Sequence, residues 1–458
     1  MLLASGRPRA SYEVLVDAQS AAVVRVRDRL KHDTGKAALF MPNPIVTHGS
    51  RDVLVDDDDA DSTLLTSLRT PVTLQRLRKG TICLQGRFVH ATLPDGEVCA
   101  PGADFAGVTR ADDQFEALMA YVHVDRTAAY LESLGLITRM LMRPLPVVAN
   151  GSEKDDSDYD PAMRLITLGS GGVDDGEDAD TIVHEYGHAL QDAQVPDFGE
   201  SDQGGAIGSG FGDYLQAATD AQRATSATFN PCMSEWDGMD FSEPAPVQCV
   251  RRTDGDLTAA DVGPGTECDT ESHCAGEVWS GALWRIRALI GGTTADRLVV
   301  QSHFALTSTA DFVDGSIALI VADRALYGGV HEQVLRDVLN ERGLLDHKWP
   351  FMAVTGKLPR KRTVQRTRSF RVTVEVSEPG TVRVSALLRR GSNQRLRVAK
   401  SRNVTFAVAG KRRVTFKVTR AGLRRLKARR RAVLRIRARA TCASGRTFPV
   451  VEVSRRLR

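Results

Sequence analysis

No stretch of this 458-residue chain approaches the roughly 18 uninterrupted apolar residues of a membrane-spanning helix, so no such helix is expected. The opening residues, Met1 to Ala10, lack the apolar run of roughly 7–15 residues that marks a signal peptide. Two openings follow: a chain that is not exported, or a true start upstream of Met1. No two cysteines stand at CxxC spacing, which removes the common cysteine–metal motifs. No repeat runs across the chain and no segment is of low complexity. The last hundred residues also nearly lack acid. From Lys357 to Arg458 there are 3 Asp+Glu against 32 Lys+Arg.

The net charge of +4 hides this asymmetry, because the remaining residues hold 29 basic and 54 acidic side chains. A jump from −25 to +29 at one point marks a domain boundary. With 42% apolar residues the chain can bury a core, and its length suits two to four domains.

Seven cysteines are present. Six form sequence-local couples, 83/99, 232/249 and 268/274, and Cys442 has no obvious mate. Disulfides in an oxidising compartment are expected, buried free thiols being the alternative.

Residues 11–31 read as strand, polar turn, strand, and residues 36–110 as an irregular β-rich lobe. Apolar residues recur at helical spacing from Asp113 to Leu136, with Phe115, Leu118, Met119, Val122 and Tyr130 on the pattern. Pro144–Asn150 and Arg164–Leu168 read as strands. Helices are expected over 179–193, 206–218, 276–289, 310–326 and 331–340. The acidic cluster Asp174 to Asp180 lies where a helix N-terminus favours negative charge. Residues 346–368, rich in Lys and Arg with two prolines, read as a linker. Beyond them the period becomes two: Phe370, Val372, Val374 and Val376, then Val414, Phe416 and Val418, then Leu434, Ile436, Ala438 and Ala440. That pattern predicts a small β-sandwich.

The strongest chemical signal is His184-Glu185-Tyr186-Gly187-His188. Positions i and i+4 share one helix face, so two imidazoles there can hold one zinc, with Glu185 beside them as general base for a metal-activated water. A surface helix with two histidines is the bland alternative. Apolar Ile182, Val183 and Leu190 argue for burial, and buried histidines need a partner. Gly208, Gly210 and Gly212 each cost up to ~1 kcal/mol in a helix, and close backbone approach would be their compensation.

The stretches 174–199, 204–218 and 271–284, with the helix 113–135, resemble the fungalysin family and its bacterial relatives among the thermolysin-like zinc peptidases. The resemblance covers roughly 11–345. It implies an α+β, two-lobed thermolysin-like metallopeptidase domain over 36–346, β-rich to about 175 and helical after it, with zinc between the lobes. It implies a remnant of an inhibitory propeptide over 1–35. After the linker, an all-β, Ig-like sandwich over 369–458 completes the expected architecture. By resemblance His184 and His188 are zinc ligands, Glu185 is the base, Asp213 orients a ligand histidine, and His273 stabilises the oxyanion. The resemblance also implies that Arg164–Leu168 is an edge strand able to pair with an extended peptide, whereas the residues alone fit an internal strand equally.

One departure matters. The pattern has glutamate, the third zinc ligand, where this chain has Ser209. A serine hydroxyl is neutral and too short to replace a carboxylate. The site is then inactive, or weak, or completed by another carboxylate such as Glu200 or Asp202. The expected function is a secreted or cell-surface zinc endopeptidase acting on peptides or proteins, impaired by Ser209. The alternative is a non-catalytic homologue that binds peptides or anionic cell-surface polymers. The basic domain lacks interleaved aromatics for base stacking, which favours anionic wall polymers or lipids over nucleic acid, with a solvated surface as the bland reading. Asp56–Asp59 reads as a solvated loop rather than a calcium site, and His90 and His123 as structural.

Overall fold

The computed structural model describes residues 2–6, 9–16, 23–28, 31–57, 59–135, 143–222, 229–239, 249–262, 267–268, 271–345, 352–355, 361–376, 380–390, 394–407, 410–427, 432–442 and 451–457. The chain divides into two compact units, Met1–Leu345 and Asp346–Arg458. It is a mixed α and β protein with several separate sheets.

The first unit opens with an antiparallel sheet in the order β1 (Leu2–Gly6), β2 (Arg9–Val16), β3 (Val23–Asp28). The expected pair of strands in 11–31 corresponds to β2 and β3, while residues 17–22 of their connection lie outside the described residues. Next, β4 (Asp33–Leu39) pairs antiparallel with β5 (Thr70–Leu77), and the short helices α1 (Pro44–His48) and α2 (Thr63–Leu68) lie between them in sequence.

A five-stranded sheet follows. It is built from β6 (Val89–Leu93), β7 (Gly96–Glu97), β8 (Leu145–Ser152), β9 (Asp158–Asp160) and β10 (Leu165–Gly169), in the order β7-β6-β8-β10-β9. β10 runs parallel to β8 on one side and antiparallel to β9 on the other. The expectation of Arg164–Leu168 as the sheet edge is therefore corrected. The three residues of β9 take the edge, because the chain folds back through Pro161–Arg164 and pairs Asp160 with Leu165.

Helix α3 (Gln114–Ser133) packs against this sheet and is buried almost all round. Phe115, Leu118, Met119 and Val122 lie in the core, and Tyr130 is partly buried against it. Then come α4 (Ala179–Gln194), α5 (Asp202–Gln222), the strand pair β11 (Cys232–Met233) and β12 (Arg251–Arg252), and helices α6 (Ser272–Ile290), α7 (Gly292–Ser302), α8 (Phe312–Tyr327) and α9 (Glu332–Glu341). Helix α7 was not expected. Gly291 breaks the apolar pattern there: its φ of 88° stops α6, and its N–H satisfies the carbonyl of Arg287.

Two of the expected cysteine couples are disulfides, Cys83–Cys99 and Cys268–Cys274. Cys232 and Cys249 are buried free thiols, both near the Arg252 guanidinium, with Nη1 at 3.1 and 3.8 Å from the two sulfurs. The acidic run 56–59 is not a solvated loop throughout, since Asp56 pairs with the buried Arg110 guanidinium. His90 bonds Glu97, and His123 bonds the Phe40 carbonyl oxygen.

In the second unit, β13 (Met352–Thr355), α10 (Lys361–Thr367), β14 (Ser369–Val376), β15 (Gly380–Arg390), β16 (Gln394–Arg397), β17 (Arg402–Phe406), β18 (Gly410–Lys417), α11 (Arg420–Lys427), β19 (Ala432–Cys442) and β20 (Val451–Leu457) follow in order. They form two antiparallel sheets, β13-β14-β18 and β16-β15-β19-β20, with β17 also on β15. Phe370, Val372, Val374 and Val376 are buried, as are Val414 and Phe416, and Leu434, Ile436 and Ala438. This alternation fills one core shared by both sheets. Val418 is partly buried, and the side chain of Ala440 lies outside the described residues. The segment 347–368 is not a bare linker. It holds β13 and α10, because Val354 and Val364 are buried in that same core.

Candidate metal centre

Helix α4 begins at Asp178, whose carboxylate accepts the Asp180 N–H as an N-cap. One turn on, His184 and His188 project from one face. Their Nε2 atoms stand 3.2 Å apart. Two zinc–nitrogen bonds of 2.0–2.1 Å at a tetrahedral angle put their nitrogens about 3.3 Å apart, so this pair has the spacing of two zinc ligands. A Glu185 carboxylate oxygen lies 4.0 Å from His184 Nε2, and donor atoms of all three residues fall within 4.8 Å of one another.

The ring of His184 is fixed from behind. Its Nδ1–H donates to Asp213 Oδ1 at 2.8 Å, because a carboxylate only accepts, and this leaves the Nε2 lone pair facing the site. Asp213 is held in turn by Arg251, which donates from Nε to Oδ2 and from Nη2 to Oδ1, both at 3.0 Å. Burial alone would push the Asp213 carboxyl up, but Arg251 and His184 hold it well below the ordinary carboxylate range. Burial lowers His184 against the pull of Asp213. Burial, together with His184 and His273, pushes His188 down to about 3. Both imidazoles are therefore neutral near pH 7, as metal ligands must be. Burial raises Glu185 well above its ordinary range, and the charges of Asp158 and Asp175 add to this.

Helix α5 comes close enough to do this because it carries glycine. A Cβ on Gly212 would stand 2.6 Å from His184 Nδ1, and one on Gly187 would stand 2.9 Å from the Gly212 Cα. The backbones of α4 and α5 cross where neither has a side chain.

Ser209 is buried on α5 and faces α6, where a Cβ on Gly276 would stand 3.2 Å from its Cβ. Among the described residues the donors that converge at the histidine pair are those of His184, Glu185 and His188. Neither carboxylate considered from the sequence joins them. Glu200 accepts a hydrogen bond from Ser308 instead, and Asp202 is an exposed residue at the start of α5. His273 sits at the rim. Its ring centroid is 6.1 Å from that of His184, and its Nδ1 bonds Glu271 at 2.8 Å. Glu271 also caps α6, and the Cys268–Cys274 disulfide staples this turn.

Neither a scan against protein-family models nor a search of curated proteins returns a match for this chain.

The sequence reading missed Arg251, which lies 38 residues from Asp213 and in no motif. The acidic residues 174–180 do lie at the start of α4, as expected, and in addition their carboxylates are buried. Glu177 pairs with Arg110 and accepts from the Trp236 indole. Asp178, Asp180 and Glu235 form one acidic group, and Asp155, Asp175 and Asp237 form another.

Proposed function

We propose that this chain is a zinc-dependent endopeptidase of thermolysin-like architecture, hydrolysing internal peptide bonds slowly because Ser209 leaves the metal one carboxylate short. The observation that supports this is the pair of Nε2 atoms 3.2 Å apart, with Glu185 beside them and Asp213 behind. When bound, zinc would supply Lewis acidity toward water and the substrate carbonyl. Glu185 takes a proton from the attacking water and delivers it to the leaving amine. His273, paired through Nδ1 with Glu271, serves as the donor to the developing oxyanion. Asp213 and Arg251 hold His184 still and move no proton.

On this reading the first unit is the two-lobed peptidase and its first strands are the tail of a propeptide. The second unit is an Ig-like sandwich whose charge suits anionic cell-surface polymers, and the disulfides fit an extracellular protein. Casein or peptide hydrolysis by the zinc-loaded protein, abolished by Glu185→Ala, tests it. A second reading, a peptide-binding homologue without turnover, is favoured by Ser209 alone. Tight zinc binding with no hydrolysis would select it.

A further inference from the structure

Cys232 and Cys249 stand outside the metal centre and take no part in the proposed hydrolysis. Cys232 lies on β11, directly across the ladder from Arg252 on β12. Cys249 lies just before Arg251, and its neighbour Val250 donates its N–H to the Met233 carbonyl at 2.9 Å. The two thiols hydrogen-bond each other. Arg252 already has an anion, since its Nε and Nη2 bond the two Asp254 carboxylate oxygens at 2.7 and 2.9 Å. Its remaining nitrogen, Nη1, turns to the sulfurs, 3.1 Å from that of Cys232 and 3.8 Å from that of Cys249.

A guanidinium beside a thiol favours the thiolate, which is the nucleophilic form. The hydrogen bond from Cys232, then the Arg252 charge, hold the Cys249 thiol below its ordinary value against burial. The same hydrogen bond, with burial, pushes Cys232 up. Cys249 is also the more exposed of the two, 9% against 3%. One sulfur is thus set to attack and the other to follow.

We propose that Cys232 and Cys249 are a redox modification site, a dithiol that a small-molecule disulfide converts to a protein disulfide, and that this bond steadies Arg251 and through it Asp213 and His184. The Cys249 thiolate attacks one sulfur of the small molecule and expels a thiolate. Cys232, its proton passed to solvent, attacks the Cys249 sulfur of that mixed disulfide and expels a second thiolate. The two leaving thiolates take up the two protons the protein thiols lose, so two protein thiols are oxidised and one disulfide is reduced. The new bond ties Cys249 to β11. Arg251 depends on the same strand pair, because its Nη2 lies 2.6 Å from Met233 Sδ as well as 3.0 Å from Asp213 Oδ1. Any effect on zinc rests on the metal reading above, whereas the cross-link does not.

The test treats the full, metal-free chain with oxidised glutathione near neutral pH. Unreduced peptide mapping by mass spectrometry should find the Cys232 and Cys249 peptides joined, where the untreated chain gives two alkylated thiols. Tm should rise. Exchange of the His184 Nδ1–H with solvent, followed by proton NMR and assigned by its absence in His184→Ala, should slow. Zinc affinity should rise by about threefold to tenfold. Cys249→Ser and Cys249→Ala, both with Cys83–Cys99 and Cys268–Cys274 intact, should show none of these gains. Cysteines that stay separately alkylated after treatment, or end as glutathione adducts that never close, overturn the site. A joined pair with unchanged His184 exchange overturns its coupling to the histidine. Absence of zinc binding in both forms, with slowed exchange in the joined form, counts against the peptidase reading and supports this one.

Discussion

Arg251 holds Asp213 through two hydrogen bonds of 3.0 Å, and Asp213 holds His184 through one of 2.8 Å, so a guanidinium on a short strand fixes a ring on α4. Replacing Arg251 with Ala leaves Asp213 charged and buried without its main partner. Loss of about 3–5 kcal/mol of stability is expected, as for other half-removed buried ion pairs. Arg251→Lys keeps the charge but not the two-point geometry, and zinc affinity should fall about 10–100-fold with a smaller loss of Tm. Zinc titration against a competing chelator, alongside melting curves, checks both. Unchanged zinc affinity in Arg251→Lys would show that Asp213 orients His184 unaided.

Gly212→Ala places a methyl group 2.6 Å from His184 Nδ1, where the Asp213 hydrogen bond now runs. Overpacking of this kind costs about 1–3 kcal/mol. Zinc binding should weaken more than Tm falls, because the displaced atom belongs to the site. Gly205→Ala on the same helix meets only Ser272 Cβ at 3.6 Å and serves as the control. Equal effects from the two would mean that α4 and α5 do not need their close crossing.

Burial, then the charges of Asp59 and Glu177, raise the Asp174 carboxyl to about 8 against the opposing pull of Arg110. The folded protein thus holds this proton more tightly than the unfolded chain does. The associated stability is complete below the ordinary carboxylate value near 3.9 and is lost as pH rises toward 8. Asp174→Asn removes that loss, so its Tm relative to the unmodified chain should improve between pH 5 and pH 8.5. A Tm difference that does not change with pH would contradict the assignment.

The second unit carries most of the positive charge, and many of its exposed strand positions, among them Arg383, Arg412 and Arg413, are basic. The full chain should be retained on an anionic polymer in low salt and released as salt rises and the Debye length shortens from about 10 Å at 0.1 M. Retention indifferent to salt, or none, leaves a solvated surface.

What could be read in advance follows period and spacing. The histidine pair was legible because the i, i+4 relation is local to one helix. The alternation of Phe370 to Val376 was legible because a buried sheet face imposes it. The meeting of Gly187 with Gly212 was suggested by the cost of glycine in a helix. Three features were not legible. The sheet edge passed to β9, three residues long and too short for any period. Arg251 acts through a contact 38 residues away. The place of the 174–180 carboxylates at a helix start was legible, but their burial was not, because it depends on the arrival of Arg110, Trp236 and Glu235 from elsewhere. The segment 347–368 misled because its Lys and Arg residues outnumber the two valines that anchor it.

The most direct measurement of the central claim is zinc affinity, taken by competitive chelator titration on the unmodified chain, on His184→Ala/His188→Ala and on Ser209→Glu, with folding of each checked by its melting curve. The unmodified chain should bind one zinc that chelators remove easily. The double variant should bind none, and Ser209→Glu should bind more tightly, with a gain in peptide hydrolysis that Glu185→Ala removes. Zinc held equally well by the double variant would contradict the account, because the two Nε2 atoms would then not be its ligands.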